Sequence, residues 1–246
     1  MTSTVTDHRS LYKAPTVCKV CGVTTFQRAR SDEQREQRRR AILSAAAAML
    51  AEMPVAELSL NELSRRVGLA KSNVLRYFET REAVLLELYD TAWTAWLDQL
   101  DAVLPPASAV GDARARYERV AASLTASLVA DPLVCELISV SASVLERNVS
   151  PLVARRYKLA SIANTERMAA QLRSSLPELS HDGAWRAAAG TLLAVGGVWP
   201  LTNPTEAMLC VYEDPQIARL RLDFHSALEE VLSVILAGCL SRWPST

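Results

Sequence analysis

Histidine is scarce in this chain: three residues in 246, His8, His181 and His225, far apart and without a second base or ligand at helical spacing. No G-x-S-x-G, P-loop or G-x-G-x-x-G stretch occurs either, so neither a nucleophile elbow nor a phosphate cradle is available. These absences exclude the common catalytic constellations and argue for a protein that is not an enzyme and needs no cofactor. The five cysteines are an odd number without the spacing of a secreted disulfide scaffold. Cys18 and Cys21 form half of a zinc knuckle, but no second pair follows to complete four ligands, so no metal is expected. Cys135, Cys210 and Cys239 sit in apolar surroundings, where a thiol behaves as a small hydrophobe. No run approaches the ~18 apolar residues of a membrane span, and the N-terminus lacks a signal-peptide core. The expected setting is therefore the cytoplasm, with reduced thiols and no membrane. Aromatics make up only 6% and no alternating strand pattern appears. With half the residues hydrophobic, an all-α fold with a sizeable core is the natural outcome.

Net charge is also missing: 27 basic residues balance 27 acidic ones. A nucleic-acid binder would then have to concentrate its positive charge locally. Between Gln34 and Glu82 nine basic residues face six acidic ones, and the rest of the chain compensates. That segment contains the most structured pattern in the sequence, LSLNELSRRVGLAKSNVLRYFETRE at residues 58–82. Ser59 and Glu62 make a capping box, with the hydroxyl serving the Glu62 amide and the carboxylate reaching back to Ser59. Leu58 and Leu63 make the accompanying hydrophobic staple. A helix is expected from Leu60 to Val67, then Gly68 at a left-handed position that glycine adopts at little cost. A second helix from Lys71 buries Val74 and Phe78, and Thr80 caps a third.

Two short helices joined by a glycine turn are a helix-turn-helix, whose second helix enters the major groove of DNA. Lys71, Ser72, Asn73, Arg76 and Tyr77 fall outside the buried positions of that helix. Asn can pair with adenine, Lys or Arg with guanine, and Ser with either base. Ser59, Asn61, Tyr77 and Arg81 are placed to hold phosphates, which orient a module without reading sequence. The bland alternative is the solvated face of an ordinary small bundle.

From Gln34 to Tyr89 the sequence resembles the tetracycline-repressor (TetR) family of bacterial transcription regulators. An Arg- and Ala-rich helix (RRRAILSAAAAMLAE) precedes the helix-turn-helix. Val67-Gly68-Leu69, Lys71, Val74, Tyr77-Phe78 and Arg81 to Leu85 occupy the positions of the family pattern. Two departures stand out. Leu75 replaces a usual Tyr, and Ala70 replaces a common capping Ser, which weakens the start of that helix by about 1 kcal/mol. The resemblance implies an N-terminal three-helix DNA-binding domain joined by a long helix to a larger helical bundle. It also implies that the bundle dimerises through its last long helices and encloses a small-molecule pocket whose ligand resets the spacing of the DNA heads.

The expected organisation is a flexible extension over 1–32, a DNA-binding domain over 33–80, and a ligand-binding and dimerisation domain over 81–246. Arg28, Arg30 and Arg35 could form a basic arm to DNA. The first helix is expected from Asp32 to Met53, ended by Pro54, with Ile42, Ala46, Met49, Leu50 and Met53 as its packing stripe. A long helix from Thr80 to Leu104 stops at Pro105-Pro106. Asp112, Asp131-Pro132, Ser150-Pro151, Asn203-Pro204 and Asp214-Pro215 then punctuate helices of about 112–130, 132–148, 151–176, 181–199, 204–212 and 215–241. The Ala- and Gly-rich 184–199 segment permits close helix approach. The stripe Ile217, Leu220, Phe224, Leu228, Leu232, Ile235 and Leu236 reads as core or as a homodimer interface. Pocket candidates on the middle helices are Trp93, Trp96, Tyr117, Cys135, Leu137, Tyr157, Met168 and Trp199. The expected function is a dimeric repressor released from a near-palindromic operator on double-stranded DNA by an unidentified small molecule. Control by a partner or by cysteine oxidation, without a ligand, stays open.

Overall fold

The computed structural model describes the backbone of residues 20–108 and 111–245, and side chains from residue 32 within those ranges. Expectations placed on residues 1–19, including Cys18, lie outside the described residues, as do the side chains of Cys21, Arg28 and Arg30. Among the described residues the fold is all-α, without a strand; a single bridge pairs Leu179 with Pro244. The chain divides into two units, Met1–Arg40 and Ala41–Thr246. In the first, the described side chains include an Arg40–Glu36 ion pair of 3.3 Å, one helical turn apart.

Helix α1 spans Val20–Leu50, beginning well before the expected Asp32. No proline lies between Pro15 and Pro54, so nothing in the sequence breaks the helix ahead of Asp32. Ile42, Ala46 and Met49 are fully buried at one helical spacing, as their 3.6-residue period requires. Pro54 follows, and a 3-10 turn at Val55–Glu57 leads into α2 (Leu60–Arg66) and α3 (Lys71–Val74).

Helix α4 (Arg81–Val103) starts on the Thr80 hydroxyl, which accepts the Ala83 N–H at 3.1 Å. The body continues with α5 (Ala113–Val129), α6 (Pro132–Ser141), α7 (Pro151–Ser175), α8 (His181–Thr202), α9 (Glu206–Val211) and α10 (Phe224–Arg242). Asp112, Asp131 and Ser150 cap α5, α6 and α7 through side-chain oxygens. Helix α8 packs on α6, α7 and α10, and α4 on α6 and α7. Gly190 lets α8 approach α10 closely, since a Cβ there would lie 3.0 Å from Ile235 Cγ2.

Three expectations are corrected. The 132–148 helix stops at Ser141 and gives way to a separate 3-10 turn at Leu145–Arg147. Pro204 does not open a helix: α8 runs on to Thr202, and the Thr205 hydroxyl caps α9 instead. Asp214-Pro215 opens only a short turn, in which the Asp214 carboxylate accepts the Gln216 N–H at 2.8 Å. The long last helix begins at Asp223, which accepts the N–H and hydroxyl of Ser226. The stripe over 217–236 is therefore broken. Leu228, Leu232 and Leu236 are core, while Leu220 is 62% exposed. By length and composition α10 could cross a membrane, yet it carries Glu229 and Glu230 and packs on α5 and α8.

Candidate nucleic-acid interface

The head is built from its caps outward. Ser59 Oγ accepts the Glu62 N–H at 3.2 Å and starts α2. The reciprocal half of the expected box is not made. Glu62 instead binds Arg65 at 2.6 Å and Arg66 at 3.2 Å, and Arg66 also reaches Glu52 at 2.6 Å. Hydrogen bonds from these two guanidinium groups hold the Glu62 carboxyl down to about 2. Leu58 and Leu63 are buried as the staple requires. Gly68 has φ +64°, the left-handed turn that sends the chain from α2 into α3. Ala70 gives α3 no side-chain cap. Beyond Val74 the chain tightens into a turn, with Tyr77 N–H on the Val74 carbonyl at 2.9 Å.

Val74 and Phe78 are buried beneath this segment, while Lys71, Ser72, Asn73 and Arg76 are exposed on it and Tyr77 is half-buried. Among the described residues Lys71 and Arg76 take part in no ion pair, whereas Arg65, Arg66 and Arg81 are all matched by carboxylates. Free positive charge of the head thus sits on this short helix and its following turn, and on α1, where Arg35 and Arg38 are exposed and among the described residues take part in no ion pair either. Ser59 and Asn61 flank it at the start of α2, both exposed. Arg81 is different: its guanidinium donates to the Val55 carbonyl and to Glu82. It ties α4 to the turn before α2, an internal duty that the phosphate assignment did not foresee.

Most pocket candidates lie in the packed core. Trp93, Trp96, Cys135, Leu137 and Met168 are buried, and Tyr117 is half-buried against them. Tyr157 lines a 260 Å³ groove between α4 and α7 with Asp90 and Arg156, its ring 6.0 Å from Tyr89. Trp199 lines a larger groove beside the head. Sequence reasoning missed the acidic side chains that accompany Trp199 there, because Glu52 follows α1 while Asp131 and Glu136 stand at the start of α6, far along the chain. A second surface is conspicuous. Leu193 and Leu201 on α8, and Val231 and Val234 on α10, are exposed, with Leu193 at 78% and Val234 at 69%.

A glycine-hinged helix pair presenting unpaired cations, set on a helical body, defines a DNA-binding regulator of the helix-turn-helix type. Residues 42–88 match bacterial regulatory proteins of the tetR family, and residues 90–242 match the tetracyclin repressor-like C-terminal domain. The chain belongs to the tetracycline-repressor family of DNA-binding transcription regulators. Among solved structures, a protein assigned as a TetR-family regulator from Mesorhizobium loti MAFF303099 aligns with TM-score 0.51 at 16% identity, over 86% of this chain and 98% of that one. The fatty acid degradation regulator FadR from Bacillus halodurans aligns with TM-score 0.49 at 15% identity, covering 80% and 94%. FadR from Bacillus subtilis, solved in complex with stearoyl-CoA, gives 0.48 at 14% identity, covering 81% and 98%. No curated protein matches the chain in sequence.

Proposed function

We propose that the chain is a homodimeric cytoplasmic repressor that leaves a near-palindromic operator when a small molecule binds its body. The DNA-reading domain is residues 33–80 and the ligand-binding and dimerisation domain 81–246. The observation that carries this is the concentration of unpaired cations and exposed amide and hydroxyl groups on Lys71–Arg76, directly after the left-handed Gly68 turn. In this role Lys71, Ser72, Asn73 and Arg76 face base edges, while Ser59, Asn61 and Tyr77 hold phosphates. A single four-residue reading helix buries too little to specify a site alone, so two heads on one two-fold axis are required, in successive major grooves about 34 Å apart.

The apolar surface of α8 and α10 supports the pairing. Leu193, Leu201, Val231 and Val234 form a face that water would otherwise cover, a feature that marks interaction sites. Control by oxidation of Cys135 or Cys239 is not favoured: burial pushes the Cys135 thiol up to about 12 and raises that of Cys239, the opposite of a reactive thiolate.

The test is a light-scattering mass of the full chain, wild type against a Leu193→Asp, Val234→Asp variant. A wild-type dimer, and a folded monomeric variant that no longer retains DNA, are expected. A wild-type monomer, or a monomeric variant that binds DNA as tightly as wild type, would sink the dimeric mechanism.

A further inference from the structure

Beside the head lies a groove of about 890 Å³. One wall comes from the end of α1 and the turn after it, with Leu50 and Met53; the other comes from α6 and α8, with Leu133 and Trp199. The volume suits a drug-sized molecule. Its walls are apolar and carry an aromatic ring held in place from two sides. Trp199 packs at 86° against Phe224, 4.9 Å between ring centres, and its indole N–H donates to Glu136 Oε2 at 2.8 Å.

The charge in the groove is of one sign. Among the described residues Glu52, Asp131 and Glu136 line it, and no Lys, Arg or His does. Glu52 is matched by Arg66 from outside the groove. Asp131 caps α6 through one oxygen, accepting the Val134 N–H at 3.2 Å, and Glu136 uses one oxygen on Trp199. Among the described residues neither of these two carboxylates takes part in an ion pair, so no side-chain cation offsets either of them in an otherwise apolar cleft.

That combination selects its occupant. A neutral apolar molecule would cover two carboxylates without compensating them, which costs free energy. An anion would be repelled. A bare metal ion wants several oxygens converging at one point, and among the described residues no such group of three exists. An organic cation with a broad apolar body satisfies all three features: hydrocarbon on Leu50, Met53 and Leu133, positive charge near Asp131 and Glu136, and the Trp199 face for cation–π attraction.

We infer that the Trp199–Glu136 groove binds a lipophilic organic cation. The site would be an effector site because its two walls belong to the DNA-reading head and to the body. Its regulatory consequence therefore rests on the ligand-controlled function proposed above, whereas the binding itself does not.

The test is calorimetry on the full chain with tetraphenylphosphonium, and with tetraphenylborate as an anion of like size and shape. Saturable uptake of one cation per chain is expected, with none of the anion. Glu136→Gln keeps an acceptor for the Trp199 N–H and removes only the charge, so it should weaken cation binding about tenfold without changing the melting curve. Trp199→Phe should weaken it as well. No saturable uptake, equal uptake of the anion, or an affinity unchanged in both variants would overturn the site. Should the cation bind at this groove while DNA retention is unaffected, the site stands and its effector role falls. Should DNA be bound normally with no cation uptake, the site falls and the regulator stands.

Discussion

Glu79 accepts the backbone N–H of Ser150 at 2.7 Å. The first residue lies where the reading segment passes into α4 and the second caps α7, so the bond fastens the head to a loop of the body. The Ser150 amide and hydroxyl lower the Glu79 pKa below its ordinary 4.5. A depressed carboxylate stabilises the fold fully above its ordinary value and ceases to do so as pH falls through the depressed one. Protection of the Ser150 amide from hydrogen exchange is expected to persist at neutral pH and to fall on acidification below 4.5. In Glu79→Ala it should be low at every pH. Equal protection in the variant would show that the bond does not hold the junction.

Arg81 is expected to matter for stability more than for DNA. Truncation to Ala leaves the Val55 carbonyl and the buried Glu82 without their charged partner. Loss of charge-assisted hydrogen bonds of this kind costs about 1–3 kcal/mol, which in a chain of this size lowers the melting temperature by roughly 2–4 °C per kcal/mol. The salt dependence of DNA binding, measured well below that temperature, should be unchanged. A slope reduced by about one unit would restore Arg81 to a phosphate contact.

Gly68→Ala probes the turn. Nothing lies within 4 Å of an added Cβ, so the cost arises from the backbone at φ +64° alone. A left-handed alanine costs about 1–2 kcal/mol. The expected outcome in denaturant unfolding is a loss of that size, with the fold retained. A neutral substitution would mean that the turn is not held in the left-handed state.

Thiol reactivity separates three cysteines. With burial pushing Cys135 up to about 12 and raising Cys239, alkylation of the native protein at pH 8 should modify Cys210, which is exposed, ahead of the other two. Denaturation should equalise them. Rapid native labelling of Cys135, read by peptide mass mapping, would revive an oxidation switch.

The head was legible because its signals are local. Ser59, Gly68 and Thr80 each act within a few residues, through a hydroxyl or a single backbone angle, and each does what its spacing implied. The same holds for Asp131-Pro132 and Ser150-Pro151, which open α6 and α7. At Pro204 and Pro215 the same dipeptide logic met competitors. Thr205 and Asp223 offer side-chain oxygens a little further on, and the helices begin there. Arg81 and Glu62 make bonds that exposure alone did not imply: their partners, Val55 on a preceding turn and Arg65 and Arg66 one helical turn along, compete with the roles expected of them. The acidic groove was out of reach, since Glu52, the Asp131 and Glu136 carboxylates at the start of α6, and Trp199 come from three separate parts of the chain.

Asn73→Ala is expected to relax preference at one base pair of each half-site, with a loss of about 1–3 kcal/mol on the preferred sequence and little on others. A uniform loss on all sequences, measured by competition binding, would move Asn73 to a phosphate contact.

Selection of bound duplexes from a random DNA pool by the purified full chain tests the central claim most directly. Enrichment of an inverted repeat with half-site centres one helical turn apart, about 34 Å, is the expected result. No enrichment even at low salt, or a single unrepeated motif, would contradict a two-fold, sequence-reading regulator.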